Sequence, residues 1–347
     1  MRFDWVRIVG WIGAPQTTVP RPRLRFARNP TWSGASAVGL RANDGHGLSR
    51  TVWGALTQPT VLALLLIHPT LALAAPLKVV ASFTILADMV RQVAGPHAEV
   101  IALVGPGGDT HTFDPSPADA GKLGGADLIV VNGLGLDGWM ERLAKAADLK
   151  VPILTASVDV APRQMTEAGQ TVPDPHAWQD PRIGGMYLRA IALALKTADP
   201  AHATTFTDNT DRLTAALEAL DQNARQQIAG VPVNRRRIIT SHDAFGYFGR
   251  AYGVSMLAPE GISTDQEPSA GAVARIIDQI RSQAIGTVFI ENMANPRLIE
   301  TIRTDTGATD GGTLYSDSLS PPDGPAPTYL AMLRYNISKL VAAMKGS

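Results

Sequence analysis

Between residues 199 and 230 the chain carries its longest uninterrupted helical pattern. Phe206, Leu213, Leu217, Leu220, Ala224 and Ile228 recur at intervals of three, four and seven, which puts them on one face of a helix. Asp199-Pro200 supplies a predicted N-cap and a proline at the first helical position, and Gly230 a C-terminal stop. A helix of about 28 residues is about 42 Å long at 1.5 Å per residue. That is enough to span two lobes, so the rest of the chain has to be arranged around it.

Strand and helix patterns alternate on both sides of this segment. Before it, strands are predicted at Leu77 to Phe83, His97 to Val104, Leu128 to Val131 and Val151 to Leu154, with helices at Ile85 to Val93, Pro117 to Leu123 and Leu136 to Ala147. After it, strands are predicted at Arg237 to Thr240, Val254 to Leu257, Thr287 to Ile290 and Thr313 to Tyr315. The intervening and closing helices are Ala244 to Tyr252, Ser269 to Gln283, Pro296 to Thr304 and Pro327 to Met344. The apolar run Leu128-Ile129-Val130-Val131 is typical of a parallel strand covered on both faces. Two such series predict an α/β fold with two lobes, 76–198 and 231–347, joined by the helix within 199–230.

The first 75 residues differ from the rest. They hold eight arginines, no lysine, only Asp4 and Asp44 as acids, and four of the six tryptophans. Arg50, the apolar run from Val61 to Ile67 with its continuation to Ala75, and the Ala72-x-Ala74 ending describe a secretory signal peptide cleaved near Ala74 or Ala75. The run is too short and broken to span a bilayer securely. Residues 1 to about 48 show no period, which suggests that translation starts downstream, near Leu48 or Val52. Without the leader the chain has 23 basic and 29 acidic residues, a net charge of −6. No basic patch interleaved with aromatics appears, so no nucleic-acid partner is expected. The chain has no cysteine, hence no disulfide, thiolate metal site or lipid-bearing cysteine.

Four stretches share one chemical character. Gly108-Asp109-Thr110-His111-Thr112-Phe113-Asp114-Pro115-Ser116-Pro117 follows a strand and is stiffened by two prolines. Asp174-Pro175-His176-Ala177-Trp178 again sets one histidine among acids and prolines. In Thr240-Ser241-His242-Asp243-Ala244-Phe245-Gly246-Tyr247-Phe248 the histidine directly follows a strand, where ligand sites of α/β sheets lie. In Tyr315-Ser316-Asp317-Ser318 a carboxylate does so. The separations of 65, 66 and 75 residues draw the four candidates from four elements, two per lobe. Three imidazoles and a carboxylate complete a four-coordinate shell and leave no position for a substrate water, which favours holding a metal over catalysing with one. His46 and His68 lie in the leader. His97 and His202 read as solvated structural residues.

From about Leu77 to its end the chain resembles the metal-binding solute-binding proteins of ABC transporters for zinc and manganese. The resemblance rests on His111-x-Phe113-x-Pro115-x-Pro117, Asp174-Pro175-His176-x-Trp178, His242-Asp243-Ala244-Phe245-Gly246-Tyr247-Phe248 and Ser316-Asp317. It implies two pseudo-symmetric α/β lobes joined by one long interlobe helix, a metal between the lobes, and His111, His176, His242 and Asp317 as its ligands. Glu291, at the end of the Thr287 to Ile290 strand, matches a cleft acid of the family and is the expected outer-sphere residue. Many zinc-specific members carry a histidine-rich loop before the second ligand, whereas Ala161 to Pro175 holds no histidine.

The implied function is capture of a divalent metal ion in the periplasm and delivery to an inner-membrane ABC permease, by a monomer with no enzymatic activity. Zn2+ is the expected cargo and Mn2+ the alternative, because a nitrogen-rich donor set suits zinc. With no cysteine to carry lipid, the protein is expected to be free rather than lipid-anchored. The competing readings are a periplasmic metallohydrolase built on the same histidines, with Asp317 or Glu291 as base, and a metal-carrying adhesin.

Overall fold

The computed structural model describes residues 75–346 apart from 168, 262 and 265–267. The leader reading, with its signal peptide, its downstream start and the histidines at 46 and 68, lies outside the described residues except for Ala75.

The first sheet is built from β1 (Leu77–Phe83), β2 (Ala98–Val104), β3 (Leu128–Val131) and β4 (Ile153–Thr155), all parallel, in the order β2-β1-β3-β4. Helices α1 (Thr84–Ala94), α2 (Pro117–Gly124) and α3 (Gly138–Ala146) connect them. All four residues of β3 are buried, as its unbroken apolar run predicts. The proline of the α2 start sits at the first helical position, and Asp119 Oδ2 accepts from both the Ser116 N–H (2.9 Å) and its hydroxyl (2.7 Å). This ties off the proline-rich loop that carries His111.

A hairpin of β5 (Gln164–Glu167) and β6 (Gln170–Pro173) precedes α4 (Pro181–Ala198) and α5 (Ala203–Ala229). α5 is 27 residues, about 40 Å at 1.5 Å per residue. Its start differs from the expected one. Residues Pro200–His202 form a separate tight turn, Asp199 makes no cap to α5, and its carboxylate instead lies 2.6 Å from His202 Nδ1. Phe206, Leu217, Leu220, Ala224 and Ile228 are buried as the periodicity predicts.

The second sheet contains β7 (Arg237–Ile239), β8 (Ser255–Leu257), β9 (Thr287–Glu291) and β10 (Thr309–Leu314), parallel, in the order β10-β9-β7-β8. Counted from each sheet's first strand, both sheets read second, first, third, fourth. Helices α6 (Gly246–Tyr252), α7 (Ala270–Gln283), α8 (Pro296–Thr306) and α9 (Tyr329–Lys345) complete this half. α5 packs on α1 and α4 of one half and on α6 and α9 of the other. β10 starts four residues before its expected Thr313, because Gly311-Gly312 interrupts the apolar pattern. The register shifts between Asp310 and Thr313, and Gly312 takes φ 84°.

The hydrophobic core is not divided evenly. The larger cluster joins the first sheet, α1, α4, α5, α6 and α9 with Ile238, Phe289, Leu314 and Leu319 of the second half. A smaller one holds Ile239, Ile276, Ile280, Val288, Ile299 and Ile302 under α7 and α8. No described helix is long and apolar enough to cross a membrane.

Candidate metal centre

Each of the four candidate residues follows the C-terminal end of a strand. His111 comes in the loop after β2, His176 after the hairpin that follows β4, His242 three residues past β7 and Asp317 three residues past β10. Strand carbonyl ends are where open α/β sheets leave room for ligands.

The structure brings all four together. One ligand atom from each lies within 4.8 Å of those of the others. His111 Nε2 is 3.3 Å from both His176 Nε2 and Asp317 Oδ2, His176 Nε2 is 3.6 Å from Asp317 Oδ1, and His242 Nε2 is 3.1 Å from Asp317 Oδ2. His176, His242 and Asp317 are wholly buried, while the His111 side chain keeps 6% of its surface exposed. Asp317 Oδ1 and Oδ2 and His242 Nε2 make no hydrogen bond among the described residues, although all three are buried. Buried polar atoms are otherwise almost always paired, so orphaned lone pairs aimed at one point need an explanation.

Each histidine is held from outside the cluster. Asp174 Oδ1 lies 2.9 Å from His176 Nδ1 and accepts the His176 backbone N–H at 3.0 Å. This puts the ring proton on Nδ1 and turns Nε2 inward. Arg163 Nη1 donates to the other Asp174 oxygen at 2.7 Å. Glu291, the expected outer-sphere residue, performs the same task for His242, with Oε2 2.5 Å from Nδ1. His111 is placed through its main chain. Its N–H donates to Asp109 Oδ1 at 2.9 Å, and Trp139 Nε1 donates to the preceding Thr110 carbonyl at 3.2 Å.

The electrostatics are those of a site built for positive charge. Burial pushes the Asp317 carboxyl up, but the charges of His176 and His242 outweigh it and hold it well below the usual range. Burial pushes His176 down, yet the Asp317 and Asp174 carboxylates raise it to about 9. Burial opposes charge on His242 as well, and Glu291 and Asp317 carry it well above the ordinary value. A divalent cation would displace protons from its ligands.

Sequence reasoning missed several supports. Asn132, at the end of β3, donates through Nδ2 to the Pro175 carbonyl at 3.0 Å, and Tyr187 Oη donates to Asn132 Oδ1 at 2.8 Å. A polar residue ending a fully apolar strand was the available signal. Arg163 and Gln179 gave none, because each needs the fold to reach its partner. His97 and His202 are not simply solvated. Their rings stack 3.7 Å apart, both half-buried and apart from the quartet.

The sequence model of the family described as zinc-uptake complex component A, periplasmic, matches residues 79–343. The iron-binding protein YfeA of Yersinia pestis is 34% identical over 265 residues, 76% of this chain and 85% of that protein. The manganese-binding lipoprotein MntA of Halalkalibacterium halodurans is 29% identical over 269 residues, 77% and 88% of the two chains. Among solved structures, the periplasmic zinc-binding protein TroA from Treponema pallidum superposes with a TM-score of 0.73 at 29% identity, over 78% of this chain and 99% of that one.

One expectation is corrected by these relatives. The chain was expected to be free of a lipid anchor, but MntA is named a lipoprotein. The expectation rested on the absence of cysteine from the sequence, and the relatives named lipoproteins overturn it. The motifs around His111, His176, His242 and Asp317, the two parallel sheets of equal strand order and the match over residues 79–343 have one common source: the chain belongs to the periplasmic zinc-uptake component A family of metal-binding proteins.

Proposed function

We propose that the protein captures a divalent metal ion outside the inner membrane and delivers it to an ABC permease, and that His111, His176, His242 and Asp317 are the ligands. The observation that carries this reading is the set of orphaned inward atoms on Asp317 and His242. Donors about 2.0–2.1 Å from a tetrahedral zinc stand roughly 3.3 Å apart. Four of the six pair separations, taken over both Asp317 oxygens, run from 3.1 to 3.6 Å, and the donor set as a whole lies within 4.8 Å. In this reading residues 76–198 and 231–347 act as the two lobes, 199–230 as the helix joining them, and the protein works as a monomer without enzymatic activity. A hydrolase would need one coordination position open to water. Four converging donors, three of them wholly buried, speak against it.

Zinc is the proposed cargo and manganese the alternative. Three imidazole nitrogens suit zinc, and manganese favours oxygen. Metal analysis of protein purified without chelator or added metal tests the capture. Competition titration of the wild type and His242→Glu tests the metal. Exchanging a nitrogen for a charged oxygen should lower the ratio of zinc to manganese affinity, and an unchanged ratio would remove His242 from the ligand set.

A further inference from the structure

By connectivity Asp317 belongs with His242, since both follow strands of the second sheet. Its flanking hydrogen bonds tie it to the other half. The Ser316 carbonyl, one residue before it, accepts from Trp178 Nε1 and Gln179 Nε2, both at 2.9 Å. Those donors lie two and three residues after His176. The Ser318 hydroxyl, one residue after Asp317, accepts the Gly107 N–H at 2.7 Å and lies 3.3 Å from the Gly105 carbonyl. These glycines lead into the His111 loop. The Leu319 N–H donates to Thr84 Oγ1, just past β1, at 2.9 Å. Each flank of Asp317 is thus fastened to a different ligand loop of the first half. From the second half, Asn292 Nδ2 reaches the Ser318 carbonyl at 3.3 Å.

His242 is held quite differently. Its N–H and its ring Nδ1 both meet Glu291, and its carbonyl accepts from Thr240 Oγ1 at 2.9 Å. All of these partners belong to the second sheet or its loops. Leu314 and Leu319, on either side of Asp317, pack in the larger cluster, which also takes in Ala244 and Phe245 beyond His242, so the distinction between the two ligands lies in their hydrogen bonds.

We propose that His111, His176 and Asp317 form a preassembled three-donor half-site carried by the first lobe. Ser318 and Gln179 are the positioning residues that hold Asp317 in it, and His242 is the ligand that closes the shell. The proposal rests on the reading of these four residues as metal ligands. Two imidazole nitrogens and a carboxylate oxygen can hold a hydrated divalent ion, and His242 then takes the position of a remaining water. Capture is accordingly stepwise, and release begins with His242.

Zinc binding to four variants tests this. Ser318→Ala removes the hydroxyl and leaves Asp317 in the chain. Gln179→Met removes one donor at nearly constant volume. Each should weaken zinc binding about ten- to a hundredfold, mainly through faster dissociation. His242→Ala should still bind zinc, more weakly, and zinc should still slow amide hydrogen exchange at Gly107 and Leu319. A merely structural role for the strap would not produce that zinc-dependent protection. Wild-type affinity in both Ser318→Ala and Gln179→Met would overturn the proposal. So would loss of the protection at Gly107 and Leu319 in His242→Ala while the wild type retains it. Asp317→Ala separates the two levels, because undiminished zinc affinity in that variant would overturn the ligand assignment itself.

Discussion

Glu291 grips His242 twice. Its Oε1 accepts the His242 backbone N–H at 2.9 Å, and its Oε2 stands 2.5 Å from the ring Nδ1. The carboxylate therefore fixes where the residue sits and which ring nitrogen faces Asp317. Glu291→Gln keeps the shape and removes the charge. Metal affinity should fall about ten- to a hundredfold, as for other residues that orient a metal-bound histidine. Competition titration reads this directly, and an affinity equal to wild type would deny Glu291 its orienting role.

Metal should stabilise the native chain by RT ln(1 + [L]/Kd), about 4 kcal/mol at a thousandfold excess over Kd. Asp317→Ala should lose most of that gain, since three contacts of 3.1–3.6 Å converge on its carboxylate. Melting curves with and without zinc measure it. The same zinc-induced shift in both proteins would place Asp317 outside the site.

Gly184 in α4 lies against a buried ring. A Cβ there would come within 2.2 Å of Tyr329 Oη and 2.9 Å of the ring carbons. Tyr329 cannot retreat easily, because its hydroxyl donates to the Trp178 carbonyl and its N–H to Asp88. Gly184→Ala should destabilise the fold by about 1–3 kcal/mol, the usual cost of overpacking. Denaturant unfolding checks it, and a change within error would mean that Tyr329 has room to move.

The Asp119 carboxyl is drawn down from 3.8 to about 2, first by its bond to Lys122 and then by Ser116, against the effect of burial. A folded value below the unfolded one contributes stability that is fully present above about pH 4. It is lost as the pH falls through about 2. Asp119→Asn should therefore lower stability above about pH 4, leave it little changed near pH 2, and flatten the acid limb between them. An identical acid limb in the variant would contradict the assignment.

Much of this was legible in the sequence where one physical signal dominated. β3 reads correctly because four apolar residues in a row have only one comfortable place, a covered parallel sheet. α5 reads correctly along its buried face, yet its start was misplaced because Asp199 bonds a side chain instead of capping the helix. The hairpin at 164–173 went unseen, since its polar residues carry no alternation. β10 was cut short because Gly311-Gly312 hides a bulge. His111, His176, His242 and Asp317 stood out by local chemistry. What holds them did not, because the Trp178 and Gln179 bonds to Ser316 span 138 and 137 residues. Pairings at that range leave no mark in a local window.

The placement of α9 bears on how the chain folds. The Tyr329 N–H donates to Asp88, 241 residues earlier, and Leu319 bonds Thr84 across 235. The C-terminal part of the described chain thus completes the core of its first part. Loop-closure entropy must be met before such contacts reward it, so folding should be slow for the chain's size. The first sheet and α1 lack these partners until residues 319 and 329 have joined them. Residues 319 and 329 must therefore meet the α1 region before the core around it is complete.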